Sequence, residues 1–202
     1  SGAITGGTTT VANTQLSLNG VLNGALQIGA DATLRGTGTV SGPASIAGTL
    51  RPGNSPGALT FTRPVALAST ATLALDIDGT GTGNGAGNYS RVVVLGAPIT
   101  VGGTIAPILR GMTGSATNTY TPALGQRFNV IHADGGLIGA FSTLTQPTSG
   151  MAAGTRFDLV YSSNDLNLVV TPQSYGDLTA LGLAQTGNQR AAGAALDALR
   201  PA

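Results

Sequence analysis

Short runs in which aliphatic and polar residues alternate recur along the chain, and nearly every run is closed by glycine. Leu16 and Leu18 alternate with polar neighbours ahead of Asn19-Gly20. Leu26 and Ile28 do so ahead of Gly29, Ala32 and Leu34 ahead of Gly36, and Ala44 and Ile46 ahead of Gly48. A period of two predicts half-buried strands, and the glycines, with Asn19-Gly20 and Asn23-Gly24, predict tight corners between them. Related units return at a spacing of roughly twenty residues, as expected of a repeat that cannot bury its own face and must stack on its neighbour. The pattern predicts an all-β chain built as a parallel β-helix, with an irregular β-sandwich as the competing reading.

The alternation sharpens between Ala71 and Asp78: Leu73, Leu75 and Ile77 point one way, and Thr72, Ala74, Asp76 and Asp78 the other. Further strands are predicted at Tyr89 to Leu95, at Ile99 to Leu109 with a break at Gly102-Gly103, at Gly125 to Ala133, Gly139 to Leu144, Phe157 to Tyr161 and Asn167 to Thr171. Gly79 to Asn88 and Gly111 to Pro122 read as loops, the first flexible by its Gly/Thr/Asn composition. Every aromatic residue except Phe61 lies at or beyond Tyr89, which predicts the best-packed region towards the carboxy-terminal third.

After Pro172 the period changes. Leu178, Leu181 and Leu183 among alanines predict a short helical or irregular piece. Thr186-x-x-Gln189 reads as a capping box opening a helix from about Gly187 to Leu199, with Ala192, Ala195, Leu196 and Leu199 on one side and Pro201 ending it. Such a short alanine-rich helix is marginal alone and is expected to dock on something. The chain thus divides into residues 1–70, 71–172 and 173–202.

Composition narrows the range of partners. Only 8% of the 202 residues are charged, all nine cations are arginine and all eight anions aspartate, and the net charge is +1. Arginines spread from Arg35 to Arg200 form no basic patch, which argues against nucleic acid as a partner. With no cysteine there are no disulfides and no thiolate metal sites. Ser1-Gly2-Ala3 has neither a basic region nor an apolar run behind it, so export would make this chain a fragment, and the aliphatic run Val92 to Leu95 is far too short for a membrane helix.

Candidate chemistry is sparse. Within Arg51 to Leu59, Gly53-x-Ser55-x-Gly57 has the spacing of a hydrolase nucleophile, which requires a strand, a sharp elbow and then a helix. Pro56 and the strand-like Leu59-Thr60-Phe61 follow instead, so the stretch reads as a structural corner, with the Ser55 hydroxyl bonding neighbouring backbone. His132, the single histidine, stands beside Asp134-Gly135 with nothing linking it to Ser55. Asp76 and Asp78 could serve acid/base chemistry or bind calcium; the competing reading is a solvated strand face ending in an Asp-Gly turn. Gly79 to Asn88 lacks the repeated aspartates of a calcium-binding nonapeptide and the Lys-Ser/Thr of a phosphate loop. No catalytic, cofactor-binding or metal-ligating residue is assigned, and no cofactor is expected.

Several separated stretches together resemble one family. They are Ser45-Ile46-Ala47-Gly48-Thr49-Leu50-Arg51-Pro52-Gly53-Asn54-Ser55-Pro56-Gly57, Leu75-Asp76-Ile77, Asn88 to Gly96, Gly125-Gln126-Arg127-Phe128-Asn129-Val130-Ile131, Gly139-Ala140-Phe141 and Leu166 to Val170. In this order they are similar to the carboxy-terminal passenger region of bacterial autotransporters (type V secretion), and Thr186 to Arg190 with Ala194 to Asp197 resembles the segment leading into that family's translocator barrel. The resemblance spans roughly residues 16 to 200; Ser90 stands where the family often carries an acidic residue. It implies a right-handed parallel β-helix, a non-enzymatic autochaperone region that folds first outside the cell, and a linker helix entering an absent barrel. Implied partners are that barrel and upstream passenger rungs, at the bacterial cell surface. The alternatives are an adhesin that binds host cells or glycans through its two loops, and a hydrolase or polysaccharide-active enzyme.

Overall fold

The computed structural model describes residues 3–200, and strands dominate it. The chain opens with β1 (Ala3–Val11), β2 (Gln15–Ser17) and β3 (Val21–Ile28). Two short circuits follow, β4 (Thr33–Gly36), β5 (Thr39–Val40) and β6 (Ala44–Ile46), then β7 (Thr49–Pro52), β8 (Ala58–Phe61) and β9 (Val65–Leu67). The next circuit is longer: β10 (Thr72–Asp76), an excursion through β11 (Gly79–Gly81) and β12 (Gly87–Asn88), then β13 (Arg91–Val94) and β14 (Ile99–Val101). After β15 (Thr104–Ile108), β16 (Arg127–Ala133), β17 (Leu137–Gly139) and β18 (Thr143–Leu144), the chain ends in β19 (Thr155–Tyr161), β20 (Asp165–Pro172) and one α-helix, α1 (Gly187–Asp197).

Strands at equivalent places in successive circuits pair in parallel. One column runs β2-β4-β7-β10-β15-β18, a second β3-β5-β8-β13-β16 and a third β3-β6-β9-β14-β17, with the long β3 feeding both of the latter. The all-β expectation holds, and the sheet is curled and rich in parallel pairs. Register explains why the short strands suffice. In the first column Thr33, Thr49, Thr72, Thr104 and Thr143 align, and so do Leu34, Leu50, Leu73, Ile105 and Leu144, which are almost wholly buried. In the second, Leu22, Val40, Phe61, Val94 and Ala133 align and are fully buried. Each such Leu or Ile side chain contributes about 1.5–3 kcal/mol on burial, and each gains it by lying over its equivalent in the layer below. One hydrophobic core extends from Val11 to Val170.

Corners between columns bring backbone close to backbone. At Gly42 a Cβ would lie 2.0 Å from the Gly24 carbonyl oxygen, so no side chain fits where one layer crosses the next. The predicted strand Gly139 to Leu144 is two strands, β17 and β18, in different columns. A corner separates them, and there Ser142 donates both its N–H and its Oγ–H to the Gly103 carbonyl of the layer beneath. The pairing changes sense at the end: β20 pairs antiparallel with β16, and β19 antiparallel with β20. Phe128, buried between these strands and the stack, meets the rings of Tyr89, Phe157 and Tyr120 edge-on at 5.3, 6.1 and 6.4 Å. On the far edge of β19, the Gln146 side-chain amide donates to the Phe157 carbonyl and accepts from the Phe157 N–H, both at 2.9 Å.

Candidate functional site

The corner at Arg51–Gly57 is built around a buried carboxylate. β7 and β10 align Thr49 with Thr72 and Leu50 with Leu73, so Arg51 lies beside the end of β10 and its guanidinium reaches Asp76, with Nη2 to Oδ1 at 2.8 Å and Nε to Oδ2 at 3.3 Å. Ser55, at φ 77° and followed by a cis peptide to Pro56, donates its hydroxyl to Asp76 Oδ2 at 2.7 Å. The Asp76 side chain is 1% exposed and that of Arg51 25%. A buried carboxylate requires such partners, since its desolvation is offset only by a cation and directed hydrogen bonds. Ser90, fully buried, completes the corner by donating to the Pro52 carbonyl at 2.7 Å.

Two expectations need correction here. The Ser55 hydroxyl bonds a side chain twenty-one residues away, not neighbouring backbone. Asp76 and Asp78 do not lie on a solvated strand face: both are buried, at 0% and 3% exposure. Alternation sorted the two faces of β10 correctly, but the corner covers Asp76 and the loop before Pro122 covers Asp78.

Asp78 ties two loops together. Its Oδ1 accepts from the Thr117 hydroxyl (2.7 Å) and the Asn118 N–H (2.9 Å), and its Oδ2 from the Thr117 N–H (2.8 Å) and the Gly87 N–H (3.2 Å). Burial alone would raise its pKa, but these donors outweigh burial and hold it below the ordinary aspartate value. The expected flexible loop Gly79 to Asn88 is in fact organised from within. The Asn88 amide donates to the carbonyls of Asn84, Gly85 and Ala86 and accepts from the Gly83 N–H, while β11 and β12 pair in parallel. In the second loop, Asn118 both accepts from the Met112 N–H and donates to its carbonyl, and Arg110 donates to the carbonyls of Thr119 and Tyr120. Asparagine side chains acting as backbone surrogates order these loops, a role that composition does not reveal.

His132 belongs to a different constellation. Its Nδ1 lies 2.7 Å from Asp165 Oδ1 and its Nε2 3.1 Å from Asp134 Oδ1, whereas the hydroxyl of Ser55 is turned to Asp76. The serine and the histidine therefore share no carboxylate. Among the described residues no three His or Asp side chains converge where a metal ion would sit. Two hollows flank Gln146 and Pro147, about 190 Å³ beside Arg110 and about 290 Å³ beside Arg156, and neither is lined by Ser55, Asp76, Asp78 or His132.

The third cluster fastens the C-terminal segment. Thr186 caps α1: its hydroxyl accepts from the Gln189 N–H, and the Gln189 side chain accepts from the Thr186 N–H. The predicted apolar side is not the docking face, because Leu196 is 53% and Leu199 83% exposed. Contact is made through Gly193, where a Cβ would stand 2.0 Å from the Tyr175 carbonyl oxygen. At the helix end Asp197 accepts from the N–H groups of Tyr175 and Gly176, the Ser174 hydroxyl and Arg200, which together hold its carboxyl far below the usual range. Arg200 also grips Asp158 of β19 at 2.5 Å and lies over the Tyr175 ring at 4.7 Å.

Compared with known proteins, the chain matches neither a family model nor a curated protein.

Proposed function

We propose that the chain is the carboxy-terminal stretch of a bacterial autotransporter passenger, a right-handed parallel β-helix whose last turns nucleate folding outside the cell. In this reading it is non-enzymatic: it serves as folding nucleus and stalk, with upstream rungs on one side and its own translocator barrel on the other, and residues 173–202 lead to that barrel. The observation that carries the reading is the terminal arrangement. Three parallel columns stand side by side, and the second continues from β16 into the antiparallel strands β20 and β19, where Phe157 packs on Phe128 and a capped helix is held against the segment that follows β20. A stack gains stability layer by layer, so a terminal unit with its own aromatic core is suited to form first and to template the layers above it.

The test is secretion. With the chain placed ahead of an outer-membrane barrel in cells, Phe128→Ala is expected to trap the passenger inside the barrel, measured as lost protease accessibility at the cell surface. Surface display undiminished by Phe128→Ala and Phe157→Ala together would remove the autochaperone role.

A second reading is favoured by Asp78. Joining 79–88 to 111–122 yields one ordered surface without a charged residue, the kind an adhesin would present to a neutral glycan or host surface. Deleting both loops is expected to spare secretion and abolish cell binding; unchanged binding would exclude it.

A further inference from the structure

Where the parallel stack gives way to the antiparallel pair, the outward face of β16 carries an unusual arrangement: one imidazole held between two carboxylates. His132 Nδ1 faces Asp165 at 2.7 Å, on the first residue of β20, and Nε2 faces Asp134 at 3.1 Å, in the turn after β16. A neutral imidazole has one N–H and one lone pair, so it can satisfy only one of these carboxylates and must present its lone pair to the other. Two donated hydrogen bonds require the imidazolium. We propose that His132 is a proton-controlled clasp, fastening the terminal antiparallel pair to the parallel stack when charged and releasing its hold when neutral.

The surroundings match this role. Asp165 also accepts from the Asn129 amide at 2.8 Å, and Asn129 is itself held by Arg91 of β13, through its carbonyl at 3.0 Å and its Oδ1 at 3.1 Å. Asp134 Oδ2 accepts from the Gly96 N–H at 2.8 Å, beyond β13. From the turn after β19, Asn164 donates to the carbonyls of Ala133 and Asp134, and Ser162 to the Asp165 carbonyl. Among the described residues Arg91 is the other charged side chain that these bonds bring in, and it reaches Asp165 through Asn129. The β16–β20 register shifts between Asn129 and Ile131 before it resumes with His132 opposite Asp165, so side chains reinforce the ladder where it is interrupted.

The direction of control follows from the two kinds of group. The hydrogen bond to Asp165 raises the His132 pKa above its ordinary value, against a partial opposing effect of burial, and Asp134 adds to the rise. A group with a raised folded-state pKa stabilises fully below its unfolded value, and that stabilisation is lost as pH climbs through the raised one. The pKa of Asp165 is lowered by His132 and then by Asn129, and that of Asp134 by Gly96 and then by His132, so their share is present above the ordinary aspartate value and lost in acid. The clasp is therefore closed in mildly acidic solution and opens towards alkaline pH.

Native-state hydrogen exchange read by NMR tests it. The reporters are the N–H groups of Ala133 and Leu137, which donate to the carbonyls of Asn164 and Ser163, and the control is the N–H of Leu26, which donates to Pro43 far from the junction. Between about pH 5 and about pH 8, protection of the reporters, corrected for intrinsic rates, is expected to fall roughly two- to fivefold while the control holds, the size appropriate to half-exposed ion pairs. His132→Gln should flatten that slope, and in the wild-type chain the ring should titrate above the ordinary histidine value. An equal slope in His132→Gln, or a ring titrating at or below about 6.5, would overturn the clasp. The wild-type titration decides the matter even if the variant does not fold.

Discussion

Between Leu18 and Leu75 the buried core holds one aromatic residue, Phe61, whereas Phe128 in the terminal part touches three rings. The difference extends to polar groups. In the stack, order comes from register: each buried leucine lies over its equivalent, each corner crosses another corner, and few side chains need a specific partner. At the terminal end nothing repeats, so position is specified by unlike groups that fit only each other, rings edge-on, His132 between two aspartates, and Arg200 across Asp158 and Asp197. A repeated layer is supported by its neighbours on both sides. An end layer has a neighbour on one side only and must gain elsewhere what repetition gives the rest.

The largest expected effect tests that contrast directly. Phe128→Ala should cost about 4 kcal/mol in urea unfolding, more than Leu34→Ala in the stack, because the lost ring leaves three others without their edge contacts. The reverse order would break the contrast. Next is Asp76→Ala, which leaves the Arg51 guanidinium without its carboxylate and is expected to cost about 3 kcal/mol. Ser55→Ala removes one donor from the same carboxylate and should cost about 1–2 kcal/mol, a larger loss than a simple turn serine would produce. Gly42→Ala examines the stack alone: its methyl meets the Gly24 carbonyl, and shifting two crossed backbones should cost about 2 kcal/mol, visible as a lower melting temperature with the near-ultraviolet aromatic signal unchanged before melting. The smallest effect is expected from Arg200→Gln. It frees α1 from Asp158 and should speed amide exchange across Gly187 to Asp197 while costing global stability about 1 kcal/mol.

The strands were largely legible because a period of two survives even in runs of three or four residues, and Gly29, Gly36 and Gly48 mark corners where expected. Partners across layers were not legible from alternation alone. Arg51 and Asp76 are twenty-five residues apart, and nothing local connects them. One signal would have done so: Thr-Leu at 33–34, 49–50, 72–73 and 143–144, with Thr104-Ile105, marks the first column, and aligning those pairs sets Arg51 beside the end of β10. Asp78 was misread because alternation tells which face a residue occupies and not what later covers it. The capping box was legible because Thr186 and Gln189 act within a single turn. The docking face of α1 was not, because a glycine at 193 carries no apolar signal and its value lies in the closeness it permits. The His132 constellation unites residues from three turns of chain, and only Asp134 is adjacent to it in sequence.

Gln146 bears on a different question, that of length. A pile of parallel layers has no intrinsic end, and an unpaired strand edge invites any passing chain to extend it into a fibre. By offering its amide to both groups of Phe157, Gln146 imitates the next strand without supplying one that could be extended further. At Phe157 the edge of β19 is thereby closed by a side chain of the same polypeptide and not by another strand.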